Sequence, residues 1–250
     1  MTAVPIACEA CREDRPLFPI AMAFQPIVDL FDRRIVAHEA LVRGPAGEPA
    51  AQVLAQVTDA NRYAFDQACR VTAIETAARL GMRTRLNINF LPNAVYEPRA
   101  CIRRTLEAAE RTGFPLDRLT FEFIENERVD DAHLHSIIEA YRRHGFSVAL
   151  DDYGVGYSNL GRLVEIRPDI IKVDRALVRG CDEDRMRRAI LSGLVGFTRE
   201  MDIKLVAEGV ERAEEARVLR EIGLRFAQGF LFARPMFQGL AREEDIAWGD

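Results

Sequence analysis

The pattern that most restricts the fold of this chain is a regular alternation of short β-rich runs with longer helical ones. Alternation of this kind is typical of a mainly parallel sheet. Eight β-rich runs occur in 250 residues, a length that α/β barrels often use for one domain, so closure into a barrel is favoured over an open doubly wound sheet. The predicted strands are "MAFQPIVDL", "RIVAHEALVRG", "RLNINFL", "LTFEFIE", "SVALDDY", "DIIKVD", "KLVAEGV" and "FAQGFLF".

Turn and helix-end signals refine this prediction. Only "FDR" separates the first two runs, so they are predicted to form a hairpin. A helical region from about residue 50 to 80 is expected to break near residues 59–61, and glycines end several helical runs, at Gly81, Gly113, Gly145 and Gly223. We therefore predict an α/β, TIM-like (β/α) barrel with one antiparallel strand near the N-terminus, formed by residues 19–250 after a tail at residues 1–18.

Composition excludes some classes of partner. The formal net charge is -5 and the pI is about 5.6, which argues against a nucleic-acid surface. The stretch "PLFPIAMAFQPIV" falls well short of the roughly 20 apolar residues of a membrane span, and no secretory signal is visible, so a cytoplasmic location without membrane contact is expected.

Cys8 and Cys11 form a C-x-x-C, but no second pair follows at zinc-site spacing, and the five cysteines are interpreted as reduced thiols.

Polar side chains recur at the ends of successive predicted strands, where packing alone would not require them. The carboxyl ends of parallel barrel strands converge on one mouth, so residues far apart in the sequence are expected to form one ring there. The strand-end residues are Glu39, Asn89, Glu122 with Glu125, Asp151 with Asp152, Lys172 with Asp174, Glu208, and Gln228.

The charge of this predicted ring indicates a metal site. Five acids, from Glu39 to Glu208, face one obvious cation, Lys172, and crowded carboxylates in a partly dry pocket raise one another's pKa. All-oxygen ligands with an asparagine suit Mg²⁺ or Mn²⁺ better than zinc. The adjacent acids Asp151 and Asp152 can bridge two ions, and an ion pair about 3.5–4 Å apart is suited to phosphodiester hydrolysis.

Each of these residues also has an ordinary structural interpretation. Asp151 and Asp152 before Gly154 are compatible with turn chemistry, and Glu208 could pair with Arg212. Lys172 alternates with apolar residues and could face solvent. The recurrence of such residues at strand after strand is what favours a functional ring over these separate explanations.

At these residues the chain resembles the EAL-domain family, the phosphodiesterases of cyclic di-GMP. The resemblance runs in order from about Ala23 to Pro235 and includes "QPIVD", "EALVR", "NINF", "FEFIE", "DDYGVGYSNL", "IKVD", "AEGVE" and "QGFLFARP". It implies a barrel with an antiparallel first strand and hydrolysis of cyclic di-GMP to linear pGpG with two Mg²⁺ or Mn²⁺ ions. It also implies a homodimer and leaves room for an unidentified regulatory protein.

The resemblance assigns roles by position. Glu39, Asn89, Glu122 and Asp151 correspond to ligands of one metal, and Asp151 with Asp152 would hold the second. Lys172 and Glu208, with Glu39, would form the catalytic group that orients and activates the attacking water. Gln25 and Arg43 would contact the substrate, and Gln228, the third residue of the substrate-binding set, would support the metal-and-water shell. Glu125 would brace the loop after Asp152. His38 adjoins Glu39 but faces the other side of its strand, and it is interpreted as structural.

Two departures from the family pattern affect the loop after Asp152. Ile124 stands where the family usually has threonine, and Tyr153 and Val155 occupy two further positions of the loop motif. Neither removes a ligand. The main hypothesis is therefore a working hydrolase. A catalytically weak receptor or protein-binding module is the alternative, and an unrelated barrel with a structural ring of acids is a third.

Overall fold

The computed structural model describes residues 18–95, 97–124, 130–154 and 160–249. Nine strands occur in these residues. They are β1 (Ala21–Asp29), β2 (Arg34–Arg43), β3 (Arg85–Asn89), β4 (Leu119–Ile124), β5 (Ser147–Tyr153), β6 (Ile170–Val173), β7 (Lys204–Ala207), β8 (Phe226–Ala227) and β9 (Met236–Phe237). Strands β1 to β8 close into a barrel, and β9 adds to the outside of β1.

The barrel is mixed because one strand runs against the others. Strands β2 to β8 pair in parallel in chain order, whereas β1 is antiparallel to both of its neighbours, β2 and β8. The hairpin of β1 and β2 places Gln25 opposite Glu39. The predicted TIM-like barrel with one antiparallel strand near the N-terminus is confirmed.

Helices pack around the barrel between the strands. They are α1 (Ala50–Leu54), α2 (Arg62–Arg79), α3 (Pro98–Cys101), α4 (Arg103–Thr112), α5 (Asp131–Arg142), α6 (Leu160–Ile166), α7 (Arg175–Val178), α8 (Arg185–Glu200) and α9 (Ala213–Glu221). The expected break in the first helical region separates α1 from α2. Gly81, Gly113, Gly145 and Gly223 all have positive φ, the left-handed conformation that commonly ends a helix. None of the helices in the described residues is long and apolar enough to cross a bilayer.

Two layers of side chains fill the barrel interior at different heights. A small apolar cluster of Ile27, Ala37, Ala149, Ile170 and Val206 lies toward the amino ends of the parallel strands. Because side chains on a strand alternate between faces, the next inward positions lie one step nearer the carboxyl ends, and these carry polar groups. The apolar layer therefore forms a floor beneath the polar one.

The last predicted strand is much shorter than the run "FAQGFLF" suggests. Strand β8 ends at Ala227, and the chain then turns onto the loop after β7, where Val210 N donates to Gln228 O and Leu231 N donates to Val210 O. A Cβ at Gly229 would overlap the Val210 backbone, so glycine permits this close approach. Strand β9, which follows this turn, was not predicted because two exposed residues carry too little pattern.

Candidate active site

The centre of the polar layer is the ammonium group of Lys172, which is fully buried on β6. Its Nζ lies 3.3 Å from Glu39, 3.0 Å from Glu122, 3.1 Å from Asp151 and 2.7 Å from Glu208. The four carboxylates come from four different strand ends. These contacts exclude the solvent-facing interpretation of Lys172, and they show that Glu208 pairs with Lys172 rather than with Arg212.

Side-chain amides hold the two carboxylates on the β2 and β4 side of this ring. Glu39 accepts hydrogen bonds from Asn89 Nδ2 at 2.9 Å and from Gln228 Nε2 at 2.8 Å. Glu122 accepts from Asn87 Nδ2 at 2.6 Å. Hydrogen bonds to a charged acceptor form the stronger class, so the two amides fix the orientation of the Glu39 carboxylate, and Asn87 orients the side chain of Glu122.

The end of β5 carries the adjacent acids of the ring. Asp151 is buried, whereas Asp152 is half-buried and adopts a φ of 55°. Gly154 follows with a φ of 100°, and a Cβ there would overlap Leu177. Aspartate tolerates the left-handed region better than most residues do, and this turn keeps both carboxylates at the mouth.

The carboxylate oxygens form two overlapping groups. Glu39, Glu122 and Asp151 each offer an oxygen within 4.8 Å of the others, and so do Asp151, Asp152 and Glu208. Asp151 belongs to both groups. The structure therefore adds Glu208 to the pair of aspartates from which the second predicted metal site was built.

The donor set fits divalent cations. Asp151 Oδ1 is buried and lies 3.1 Å from Lys172 Nζ, but the geometry is not that of a hydrogen bond, so the oxygen keeps free lone pairs. Oxygen donors from carboxylates and an amide are those that Mg²⁺ and Mn²⁺ prefer. Glu39, Asn89, Glu122 and Asp151 could hold one cation, and Asp151, Asp152 and Glu208 a second.

The pKa values of the ring reflect its excess of negative charge. Burial, with the nearby charges of Glu39 and Asp151, raises the pKa of Glu122 to about 8 even though Lys172 opposes the shift. Burial and the charge of Asp151 raise the pKa of Asp152 to about 6. Burial likewise raises the pKa of Glu208 well above its usual range.

The pKa shifts of Glu39 and Lys172 favour the charged forms of both side chains. Burial alone would raise the pKa of Glu39, but Lys172 and the amides of Gln228 and Asn89 outweigh burial and lower it. Burial would lower the pKa of Lys172, but the surrounding carboxylates raise it strongly. Lys172 is therefore a permanent cation of the ring.

The remaining predicted residues lie at different places around the mouth. Gln25 and Gln228 are buried beside Glu39, where Gln228 Nε2 donates to Gln25 Oε1 at 3.2 Å. Arg43, at the end of β2, donates to Val42 O at 2.8 Å, while burial lowers its pKa and the charge of Glu39 opposes that shift. Glu125 and Val155 lie outside the described residues.

His38 occupies the opposite face of β2, as strand alternation predicts. Its Nδ1 lies 2.8 Å from Thr84 Oγ1 outside the ring, and burial lowers its pKa to about 4. A neutral, buried imidazole facing away from the carboxylates fits a structural role.

Sequence reasoning missed Asn87 and a buried ion pair behind the ring. Asn87 precedes Asn89 by two residues in "NINF", so alternation alone could have placed both amides inside the barrel. Arg70 lies 2.6 Å from Asp66 on α2, and Asp66 accepts from the backbone N–H of Leu91, just beyond Asn89. The four-residue spacing of Asp66 and Arg70 is a helix ion-pair signal, but their complete burial could not be inferred from it.

The site geometry and the fold agree with one known family. A family model described as EAL domain matches residues 17–235. The chain is a member of the EAL-domain family. Its site residues lie on the eight-stranded barrel described above, at the carboxyl ends of the parallel strands.

Solved EAL structures are similar over most of this chain. The cyclic di-GMP-bound form of a standalone versatile EAL protein from Vibrio cholerae O395 is 45% identical, with a TM-score of 0.88, and the match covers 91% of this chain and 97% of that one. A manganese and cyclic di-GMP complex of Klebsiella pneumoniae BlrP1 is 33% identical, with a TM-score of 0.85, over 91% of this chain and 58% of that one.

Curated relatives are longer than this EAL chain. The cyclic di-GMP phosphodiesterase NbdA of Pseudomonas aeruginosa is 27% identical over 245 residues, which cover 91% of this chain and 30% of NbdA. Three relatives from Escherichia coli, BluF, PdeI and DosP, are matched over 56%, 29% and 24% of their own length. Their other parts have no counterpart in this match.

Proposed function

We propose that this EAL barrel hydrolyses cyclic di-GMP to linear pGpG with the help of two divalent cations, Mg²⁺ or Mn²⁺. The observation that carries the proposal is the position of Asp151, which belongs to two carboxylate groups on either side of it. A carboxylate shared in this way is suited to bridging two ions, as two-metal phosphodiesterases require.

The choice of substrate rests on the relatives and on the groups around the mouth. One similar structure holds cyclic di-GMP, and NbdA is named as its phosphodiesterase. A cavity of about 180 Å³ beside the ring is lined by Gln25, Glu39, Glu208 and Gln228, among others. We propose that this cavity receives one part of the dinucleotide, positioned by Gln25 and Gln228, and that Arg43 binds a phosphate, because a guanidinium fork matches phosphate geometry.

The ring residues have separate roles in the proposed reaction. When bound, the cations would polarise the phosphoryl oxygens and make a water molecule nucleophilic at neutral pH. Lys172 keeps the carboxylates together and orients the attacking water with Glu208 and Glu39. Asn89, Asn87 and Gln228 hold the carboxylates of Glu39 and Glu122 in their binding orientation.

The direct test is incubation of the EDTA-treated protein with cyclic di-GMP, with and without Mg²⁺ or Mn²⁺, followed by chromatography for pGpG. We expect turnover only with the cations. Asp152→Asn should abolish most of it, while Asp202→Asn serves as the matched control, because Asp202 has the same φ of 55° and is exposed. Equal loss in both variants would contradict the proposed role of the Asp152 charge.

The same assay separates the hydrolase from the alternative receptor or protein-binding module. Saturable binding of cyclic di-GMP without pGpG under any cation condition would favour the receptor. We further propose that the enzyme acts as a homodimer, which sedimentation at several protein concentrations can test. We also propose that the loop after Asp152, to which Val155 belongs, links the dimer contact to the site, with Glu125 as its brace and Ile124 as a position that modifies it.

A further inference from the structure

A second cavity lies at the opposite end of the barrel from the acidic ring. Its volume is about 710 Å³, within the usual range of small-molecule sites. Ile27, Ala37, Ile170 and Val206 line it, and these are residues of the apolar floor beneath the polar layer. We call this space the basal cavity. The floor lies between the basal cavity and the carboxylates of the mouth, and Asn87, which donates to Glu122, is the lining residue that connects the two.

The charge of the basal cavity is opposite to that of the mouth. Its walls include six cationic side chains and two acidic ones, although the chain as a whole is acidic. All six cations precede or begin a strand, which places them at the amino ends of the barrel. They are Arg34, Arg83, Arg85, Arg118, Lys204 and Arg225.

Part of this positive charge is already neutralised. Arg225 lies 2.7 Å from Asp29 and also pairs with Asp32, which lies 3.6 Å from Arg34. The other four cations, at positions 83, 85, 118 and 204, have no ion pair within 4.0 Å among the described residues. Asp117 is the other acid of the walls, so the cavity keeps an excess of positive charge.

Among the four cations without an ion pair in the described part of the chain, Arg85 has a guanidinium that hydrogen bonds hold in place. It begins β3 and faces the barrel interior, two alternate positions below Asn89. Its guanidinium is half-buried and donates to Ser147 Oγ at 2.7 Å and to Thr120 Oγ1 at 3.4 Å. Burial lowers its pKa, and the more distant charges of Asp117 and Asp169 only oppose that shift. A guanidinium stays charged in proteins, so Arg85 is a fixed and partly desolvated cation.

We propose that the basal cavity binds a small phosphate ester with an apolar body. Arg118 offers a guanidinium fork that suits a phosphate, and Arg85, whose Nε and Nη2 donate to Thr120 and Ser147, keeps its remaining N–H groups for a phosphate oxygen. The apolar floor and the ring of Phe226 offer contact to a hydrophobic or planar group attached to the phosphate. An inorganic ion would leave that floor in contact with water, so the ester is the better match.

The test uses the full chain without metal, in which the acidic mouth repels anions. Phenyl phosphate is titrated into the protein by calorimetry, with inorganic phosphate and phenol as separate probes. We expect one phenyl phosphate site and tighter binding than for either probe. Arg85→Gln should weaken binding about tenfold or more, as the loss of a charge-assisted hydrogen bond predicts, and Arg85→Lys by less.

Arg217→Gln is the matched control, because Arg217 is exposed on α9 and does not line the basal cavity. It should leave the affinity within about twofold, because an exposed charge outside the cavity is screened by solvent and salt. If Arg85→Gln fails to fold, Arg118→Gln takes its place. Equal weakening by Arg217→Gln, no saturable binding, or equal affinity for phosphate and phenyl phosphate would each overturn the proposal.

Discussion

Replacing Glu122 by glutamine separates two effects of its carboxylate: the destabilisation of the metal-free protein by a buried charge and the binding of Mg²⁺. Glu122 is fully buried, and its carboxylate lies 2.6 Å from Asn87 and 3.0 Å from Lys172. Glutamine keeps the shape of the side chain and an oxygen acceptor but never carries the charge. We therefore expect Glu122→Gln to stabilise the metal-free protein at alkaline pH and to weaken the response to Mg²⁺.

The magnitude follows from the raised pKa. A folded value of about 8 against an ordinary value of 4.5 corresponds to roughly 5 kcal/mol of unfolding free energy once the carboxylate is fully ionised. The sign is that of an acid with a raised pKa: the contribution of Glu122 to wild-type stability is fully present below about pH 4.5 and is lost as the pH rises through about 8. We expect Glu122→Gln to match the wild type near the lower value and to exceed it by at least about 2 kcal/mol above the higher one, since relaxation reduces the full penalty.

The assay is urea unfolding of EDTA-treated protein across this pH range, repeated with saturating Mg²⁺. Mg²⁺ at a hundred times its Kd should add about 2.7 kcal/mol to the wild type for each occupied site, and less to the variant. Glu110→Gln, on the exposed surface of α4, is the control for loss of one acidic charge. A variant less stable than the wild type at alkaline pH without metal, or an equal Mg²⁺ response in both, would refute the reasoning.

Four further predictions concern other parts of the site. Asp151→Asn should lower pGpG formation about 10³-fold or more, because it removes the shared ligand, and near-normal turnover would disprove that role. Arg43→Ala should weaken cyclic di-GMP binding in calorimetry without lowering the Tm; unchanged affinity would count against the phosphate contact. Ile124→Thr should raise turnover a few-fold or change its dependence on protein concentration, since a threonine hydroxyl can hydrogen-bond within the loop after Asp152 and isoleucine cannot; no change in either would make Ile124 a neutral packing difference. Arg70→Met should cost about 3–5 kcal/mol in urea unfolding, because it leaves the buried carboxylate of Asp66 without its partner, and a loss comparable to that of a surface arginine would argue against this.

The parts of the fold that the sequence predicted are those with a repeated pattern. Strand-and-helix alternation predicts the parallel barrel, and the short "FDR" turn predicts the antiparallel β1. Strand β9 carries two exposed residues, Met236 and Phe237, and its pairing with β1 depends on the turn at Gly229 that brings the chain back. Such a contact is tertiary, and no local propensity encodes it.

The candidate site could be predicted as a set of strand ends but not as a network. Alternation indicates that Glu39, Glu122 and Lys172 face inward, whereas the four-way contact of Lys172 depends on which strands are neighbours in the closed barrel. Asn87 lies below the mouth, two residues before the end of β3, so a pattern of strand ends does not include it. The cations of the basal cavity lie at strand starts, so the same pattern does not indicate them.

The charge balance of the whole ring, rather than any single residue, indicates how many cations it would bind. The five carboxylates of Glu39, Glu122, Asp151, Asp152 and Glu208 could carry five negative charges against the single positive charge of Lys172. Without metal, bound protons neutralise part of the excess negative charge. The raised pKa values of Glu122, Asp152 and Glu208 show that these three acids bind protons more readily than free carboxylic acids do. Two divalent cations would bring the ring to neutrality, whereas one would leave it with two negative charges. Since metal binding displaces the protons, the ring favours metal most at the pH where its carboxylates are least tolerated without it.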